Sequence, residues 1–307
     1  MIRAVSALAV GLWAGSAGAA DLAFVTSQNA DAVSVINLQS GKILAETPVG
    51  GAPAPVAYDP DHQRAYVISA KTGRLTVLDE SGAVTLTKDF PEGAFGLAAT
   101  KDGGVFVTDW YQARLFRLDA SLQQLWTVPT GKAPAGVATD GRLVATADRD
   151  EDQISVYDTE TGDLWVRVKV GKHPYAITFH KGLIWTADVR SDTVSVVDPV
   201  QGRMIGQVPT GSHPYGIAFA KGRGFVTNQY AGTVTVFDPD TRAQLATLET
   251  GDYPEGIAAL PDGSGVVVAH WDSNNLVWID AATLSVTHEL DLPDGPRAFG
   301  EFTGRQH

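Results

Sequence analysis

The stretch that decides the fold is GKHPYAITFHKGLIWTADVRSDTVSVVDPVQGRMIGQVPT, residues 171–210. The chain repeats its plan immediately as GSHPYGIAFAKGRGFVTNQYAGTVTVFDPDTRAQLATLET, residues 211–250. Working outward, the proline of the opening phrase recurs at Pro53, Pro134, Pro174, Pro214, Pro254 and Pro296, with Ala94 in its place in one copy. The spacing is 40 to 42 residues throughout. Each unit holds four short segments rich in Val, Ile, Phe and Thr that alternate with period two, as strands do. No long window carries a helical period.

Four antiparallel strands every 40 or so residues predict an all-β, seven-bladed β-propeller. The first copy, from Asp21, begins at what should be its second strand. The missing strand stands at the far end, where PRAFGEF, 296–302, repeats the opening phrase. The C-terminal segment is therefore expected to complete the first blade and close the ring, leaving no open sheet array. A single domain over 21–307 follows. The third strands end at Asn37, Asp79, Asp119, Asp158, Asp198, Asp238 and Asp280, each before a turn. A short carboxylate or amide there bonds its own backbone and fixes the turn, so this ring of acids is read as structural.

Residues 1–20, MIRAVSALAVGLWAGSAGAA, combine an early cation, a short apolar run and small residues fitting an A-x-A cleavage rule. They read as a secretory signal peptide and predict a periplasmic protein with no membrane anchor. The chain has no cysteine, which excludes disulfides, thiolate metal sites and covalently attached haem. A formal net charge of −12 disfavours phosphate backbones, so nucleic acid is not an expected partner. A small molecule or a periplasmic protein is, and the chain is expected to be a monomer.

The second-strand phrases AYVISA, VFVTDW, GFVTNQY and AFVTSQ, each leading to a V-S-V-like strand and a Gly-x-x-Pro loop, resemble the YVTN-repeat β-propellers of exported bacterial proteins. The resemblance spans the chain beyond the leader. It implies a seven-bladed periplasmic propeller of the kind found with quinoprotein dehydrogenase systems. Relatives share architecture with the haem domain of cytochrome-type nitrite reductases and with amine dehydrogenase large subunits.

In such a ring, the Gly-x-x-Pro loops and the loops after the second strands share one face, the upper face. There the repeat is asymmetric. The residue before the loop proline is small in several copies but His173, His213 and Tyr253 in others. The residue after it includes Tyr175, Tyr215 and Arg297. The second-strand ends and their loops add Trp110, Arg149, Asp188, Arg190, Tyr230, His270 and Trp271. Equivalent positions of successive blades are neighbours, so these thirteen residues are read as a ligand-binding sector.

No G-x-S-x-G, H-E-x-x-H or phosphate-loop phrase is present, and the chain is read as a binding protein before an enzyme. The cofactor is unknown. Two alternatives remain open. One is a metal-dependent lyase or lactonase, with His173 and His213 joined by His270, Asp188 or Tyr253. The other is a haem-d1-like tetrapyrrole binder with His173 or His213 as axial ligand.

Overall fold

The computed structural model describes residues 20–91 and 93–306. The expected leader, apart from Ala20, lies outside them, as does His307. Seven four-stranded antiparallel sheets form the seven blades, in chain order 21–48, 53–89, 94–129, 134–169, 174–209, 214–249 and 254–291. Helix is confined, among the described residues, to one 3₁₀ turn at Arg149–Glu151.

The fifth blade shows the plan. Pro174–His180 pairs with Leu183–Asp188, which pairs with Thr193–Asp198, which pairs with Arg203–Pro209. The first strand lines the central channel and the fourth faces out. Burial follows that order. The second and third strands are almost wholly buried, while the fourth alternates between half-buried and exposed. The core lies between blades rather than within them. Trp185 of the fifth blade meets Phe219 and Phe237 of the sixth, with ring centroids 5.3 and 5.5 Å apart. Gly224 is required there, because a Cβ at that position would overlap the Phe237 ring.

The Pro-x-Gly phrase has a packing cause. A Cβ on Gly216 would stand 2.7 Å from the carbonyl oxygen of Glu255 in the next blade. A Cβ on Gly136 would stand 2.5 Å from the carbonyl oxygen of Tyr175. First strands converge on the channel, and glycine lets their backbones approach. Threonines of the second strands tie the same junctions. Thr108 Oγ1 donates to Ala135 O at 2.9 Å, and Thr227 Oγ1 donates to Glu255 O at 2.7 Å. The aspartate turns form as expected. Asp158 Oδ1, for example, accepts the backbone N–H groups of Glu160 and Thr161 at 2.9 and 3.0 Å.

The ring closes in the first blade, with an adjustment of register. The closing strand is Thr303–Arg305, paired with Asp21–Ser27, while Pro296 makes a single bridge to Ser27. In the fifth blade the loop proline pairs with Asp188, and pairing resumes at Ile177–Thr186 after a one-residue shift. In the first blade it resumes only at Thr303–Ala23, so two further residues are looped out. The looped segment crosses to the second blade. Val56 N donates to Phe299 O at 2.9 Å, and Tyr58 N donates to Glu301 O at 2.8 Å. The 296–302 segment expected as the closing strand thus clamps two blades, and the regular strand follows it.

Candidate functional site

The Gly-x-x-Pro loop is held by backbone. Where the residue before the proline is not glycine, it is left-handed: φ is 57° at Ala52, 51° at Ala133, 54° at His173, 57° at His213 and 53° at Tyr253. In three copies its N–H donates to an aspartate of the preceding blade, at 2.9 Å from His173 to Asp152 and from His213 to Asp192, and in the third from Ala52. Its carbonyl accepts from the loop after the second strand, as His173 O does from Val189 N at 3.0 Å. Ala52 makes the equivalent bonds to Asp31 and Ala70. The loop therefore works with alanine, and the histidine and tyrosine side chains are additions to it. Left-handed φ costs a residue with a Cβ about 1–2 kcal/mol, and Tyr253 bears it with a bulky side chain.

Three groupings emerge on the upper face. The first is an aromatic arc across the sixth and seventh blades. The His213 ring stacks on Tyr230 at 3.8 Å, Tyr230 meets Tyr253 at 5.6 Å, and Tyr253 meets Trp271 at 6.1 Å. His213 Nδ1 bonds Ser212 Oγ at 2.9 Å. Tyr230 is 58% exposed and Tyr253 37%. The second is cationic. The Arg149 guanidinium lies 4.1 Å over the Trp110 ring and pairs with Asp150 at 2.7 Å. Burial, and then the charges of Arg190 and Arg149, pull the pKa of His173 down. Arg190 is exposed.

The third grouping lies at the channel axis. Tyr175, Tyr215, Phe95 and Phe299 pack ring against ring, with centroids 4.7–5.9 Å apart. Arg297 reaches across them. Its Nη2 and Nε donate to Tyr215 Oη at 2.7 and 3.1 Å, and its Nη1 donates to Gln28 at 3.0 Å. Its Nε also lies 2.6 Å from Glu255 Oε2, a contact of charge, because the N–H is aimed at Tyr215. Gln229 donates to the other Glu255 oxygen at 2.5 Å. Burial pushes the Glu255 carboxyl up, and Arg297 and Gln229 oppose it. Burial also raises the Tyr175 and Tyr215 hydroxyls. These residues hold one another, with Glu255 Oε2 held by charge alone, and plug the channel near its upper mouth. Glu255 turns to Arg297, not to His213.

The remaining candidates are internal. Asp188 is fully buried, with Oδ2 accepting from Ser195 Oγ at 2.6 Å and Thr193 Oγ1 at 3.1 Å. Burial raises its pKa to about 7. Asn228 makes the corresponding bonds in the sixth blade, to Thr235 at 2.9 Å and Thr233 at 3.0 Å. His270 is fully buried in the same column, with Nε2 3.0 Å from Thr250 Oγ1 and its pKa pushed down to about 4 by burial. His173, His213 and His270 are not brought together. Among the described residues, no three His, Asp or Glu side chains are grouped to hold a metal ion.

Sequence reasoning did not single out two residues of the lower channel. The His180 ring stacks on Phe219 at 3.9 Å in the channel wall. Glu301 lines the same channel. The available signal was the closing phrase itself, which carries a glutamate where other copies carry small or apolar residues.

No family model matches the chain, and no curated protein matches it. Solved structures do. A functionally unknown protein from Desulfotomaculum acetoxidans DSM 771 superposes with a TM-score of 0.79 at 15% identity, covering 93% of this chain and 99% of that one. Kuenenia stuttgartiensis hydrazine synthase superposes with a TM-score of 0.74 at 16% identity, covering 85% of this chain and 92% of that one. At such identities the likeness is one of fold, and the fold common to all three is the β-propeller.

Proposed function

We propose that this chain is an exported, non-enzymatic propeller that docks a periplasmic partner protein on the upper face of its third to seventh blades. The leader-like residues 1–20 support export, and the V-T-N phrases support a place among YVTN-repeat propellers. One observation carries the docking assignment. The arc His213, Tyr230, Tyr253 and Trp271 stands out from loops that need none of these side chains, with Tyr253 held at φ 53°. Aromatic residues and arginine are the anchors of protein interfaces. The plug beneath fills the channel axis, which favours a macromolecular partner on the rim over a small ligand in the channel on this side.

The test is site-specific photo-crosslinking in the source organism, with the reactive group at position 230 or, as control, at Leu44, which is exposed on an outer strand. A discrete adduct is expected from position 230 only. Purified partner should then bind the double variant Tyr230→Ala/Tyr253→Gly at least about thirtyfold more weakly, the loss of one interface anchor of about 2 kcal/mol. Because glycine suits the left-handed φ at position 253, the variant should melt no lower than the parent protein. Equal adducts from both positions, or undiminished affinity, would dispose of the assignment.

A further inference from the structure

Below the plug the channel widens into a cavity of about 410 Å³, within the range of small-molecule sites. Phe299 forms part of its roof, since the same ring belongs to the plug above. Its walls are the first strands of successive blades, with Ile177, Ile217 and Ile257 around a belt of small residues such as Ala138, Ala218 and Ala258. The lower end carries Phe179, Phe219 and His180. Among the described residues, two ionisable side chains border the cavity, His180 and Glu301.

Glu301 has three properties that bear on a ligand in this cavity. It sits in the looped-out part of the closing segment, where the register differs from that of the other blades. Its backbone carbonyl is used, by Tyr58 N, but its side chain is open to the channel cavity and has no hydrogen-bond or ion-pair partner among the described residues. The low-dielectric wall alone pushes its pKa up. The same wall, and then Lys181, push the His180 pKa down, so burial disfavours the charged form of both groups and Glu301 lacks a cationic partner in the cavity. His180 Nε2 is buried without a partner.

We infer that the lower channel cavity binds a small organic cation, an alkyl- or quaternary-ammonium compound, with Glu301 as its counter-charge. A lone carboxylate among aliphatic walls offers too few ligand atoms for a divalent metal ion, which takes about four as zinc and six or more as calcium or magnesium. An ammonium group carrying methyl or methylene substituents matches both parts of the site. Its charge meets the carboxylate, and its hydrocarbon surface meets the isoleucine and alanine belt. The aromatic rings at the lower end add cation–π attraction. This site shares no residue with the upper-face arc, so either assignment can fail while the other stands.

The test is isothermal titration of the purified protein at low ionic strength with choline chloride and tetraethylammonium chloride. The control is 3,3-dimethylbutan-1-ol, the uncharged isostere of choline. Saturable binding of at least one cation is expected, with the alcohol at least about tenfold weaker than choline where choline binds. Glu301→Gln keeps the volume and removes the charge, and should weaken cation binding about tenfold to a hundredfold, as loss of a charged partner does. Ala258→Leu, which fills the cavity, should weaken cation and alcohol alike. Absence of saturable binding by either cation, equal affinity for choline and its isostere, or full affinity in Glu301→Gln would each overturn the inference. Should Glu301→Gln fail to fold, the isostere comparison and the cavity-filling variant decide it on well-folded protein.

Discussion

Replacing Asp188 with asparagine should make this protein more stable, and only above a definable pH. Asp188 is wholly enclosed, its Oδ1 has no partner, and burial lifts its pKa from 3.8 to about 7. The unfolded chain releases this proton near pH 4, whereas the native chain keeps it until near pH 7. Between those values the native state binds more protons, so this group lowers stability as pH rises. Three pK units correspond to about 4 kcal/mol, fully expressed above pH 7. The sixth blade shows what relieves it. Asn228 takes the same place, its Nδ2 donates to Thr235 and Thr233, and its Oδ1 accepts from Gly211 N at 3.1 Å. Ser195, Thr193 and Gly171 stand ready for the same bonds around position 188. Urea unfolding of parent and Asp188→Asn should therefore coincide within about 1 kcal/mol at pH 4 and diverge by on the order of 4 kcal/mol at pH 8. That difference is worth roughly 8–16 °C in melting temperature for a domain of this size. A stability difference independent of pH, or an asparagine variant less stable at pH 8, would refute the reasoning.

Two further outcomes follow from buried charge. Arg297→Met leaves Glu255 charged or forces it to protonate inside the plug, and should cost about 3–5 kcal/mol by thermal or urea melting. The double change Arg297→Met/Glu255→Met should recover most of that, and a double variant no better than the single one would show the pair to be independent. His270, with its pKa pushed down to about 4, stays neutral in the native state while the unfolded chain takes up a proton below pH 6.5. It makes the protein lose on the order of 3 kcal/mol as pH falls from 6.5 to 4, and His270→Asn should flatten that part of the urea-midpoint profile.

The blades were legible because the features that build them recur with one period. The loop proline and the aspartate or asparagine at each outer turn are set by local backbone geometry, and the glycine where first strands meet by the same contact with each next blade. The closing of the ring was legible in PRAFGEF, but its register was not, since the two looped-out residues answer to Val56 and Tyr58 in another blade. Equal positions in successive blades were legible as neighbours, but the structure divides these residues among an aromatic arc, a cationic pair, an axial plug and the interior. What the sequence did not show was direction. The register shift between Pro174 and Ile177 turns Tyr175 toward the axis, while His213, two residues before Tyr215, stacks outward on Tyr230. One phrase thus feeds both the plug and the rim, and the division depends on a bulge that no periodicity reveals. The buried places of Asp188 and His270 were hidden for a similar reason, since polar residues at a strand end commonly read as loop.

The clasp made by residues 296–305 has a consequence for how the molecule comes into being. Its bonds reach Ala23, Phe24 and Thr26 on one side and Ala54, Val56 and Tyr58 on the other. A fragment ending before residue 296 cannot supply them, so the circle stays unlatched until that segment is present, and one short stretch then fastens the first blade to the second.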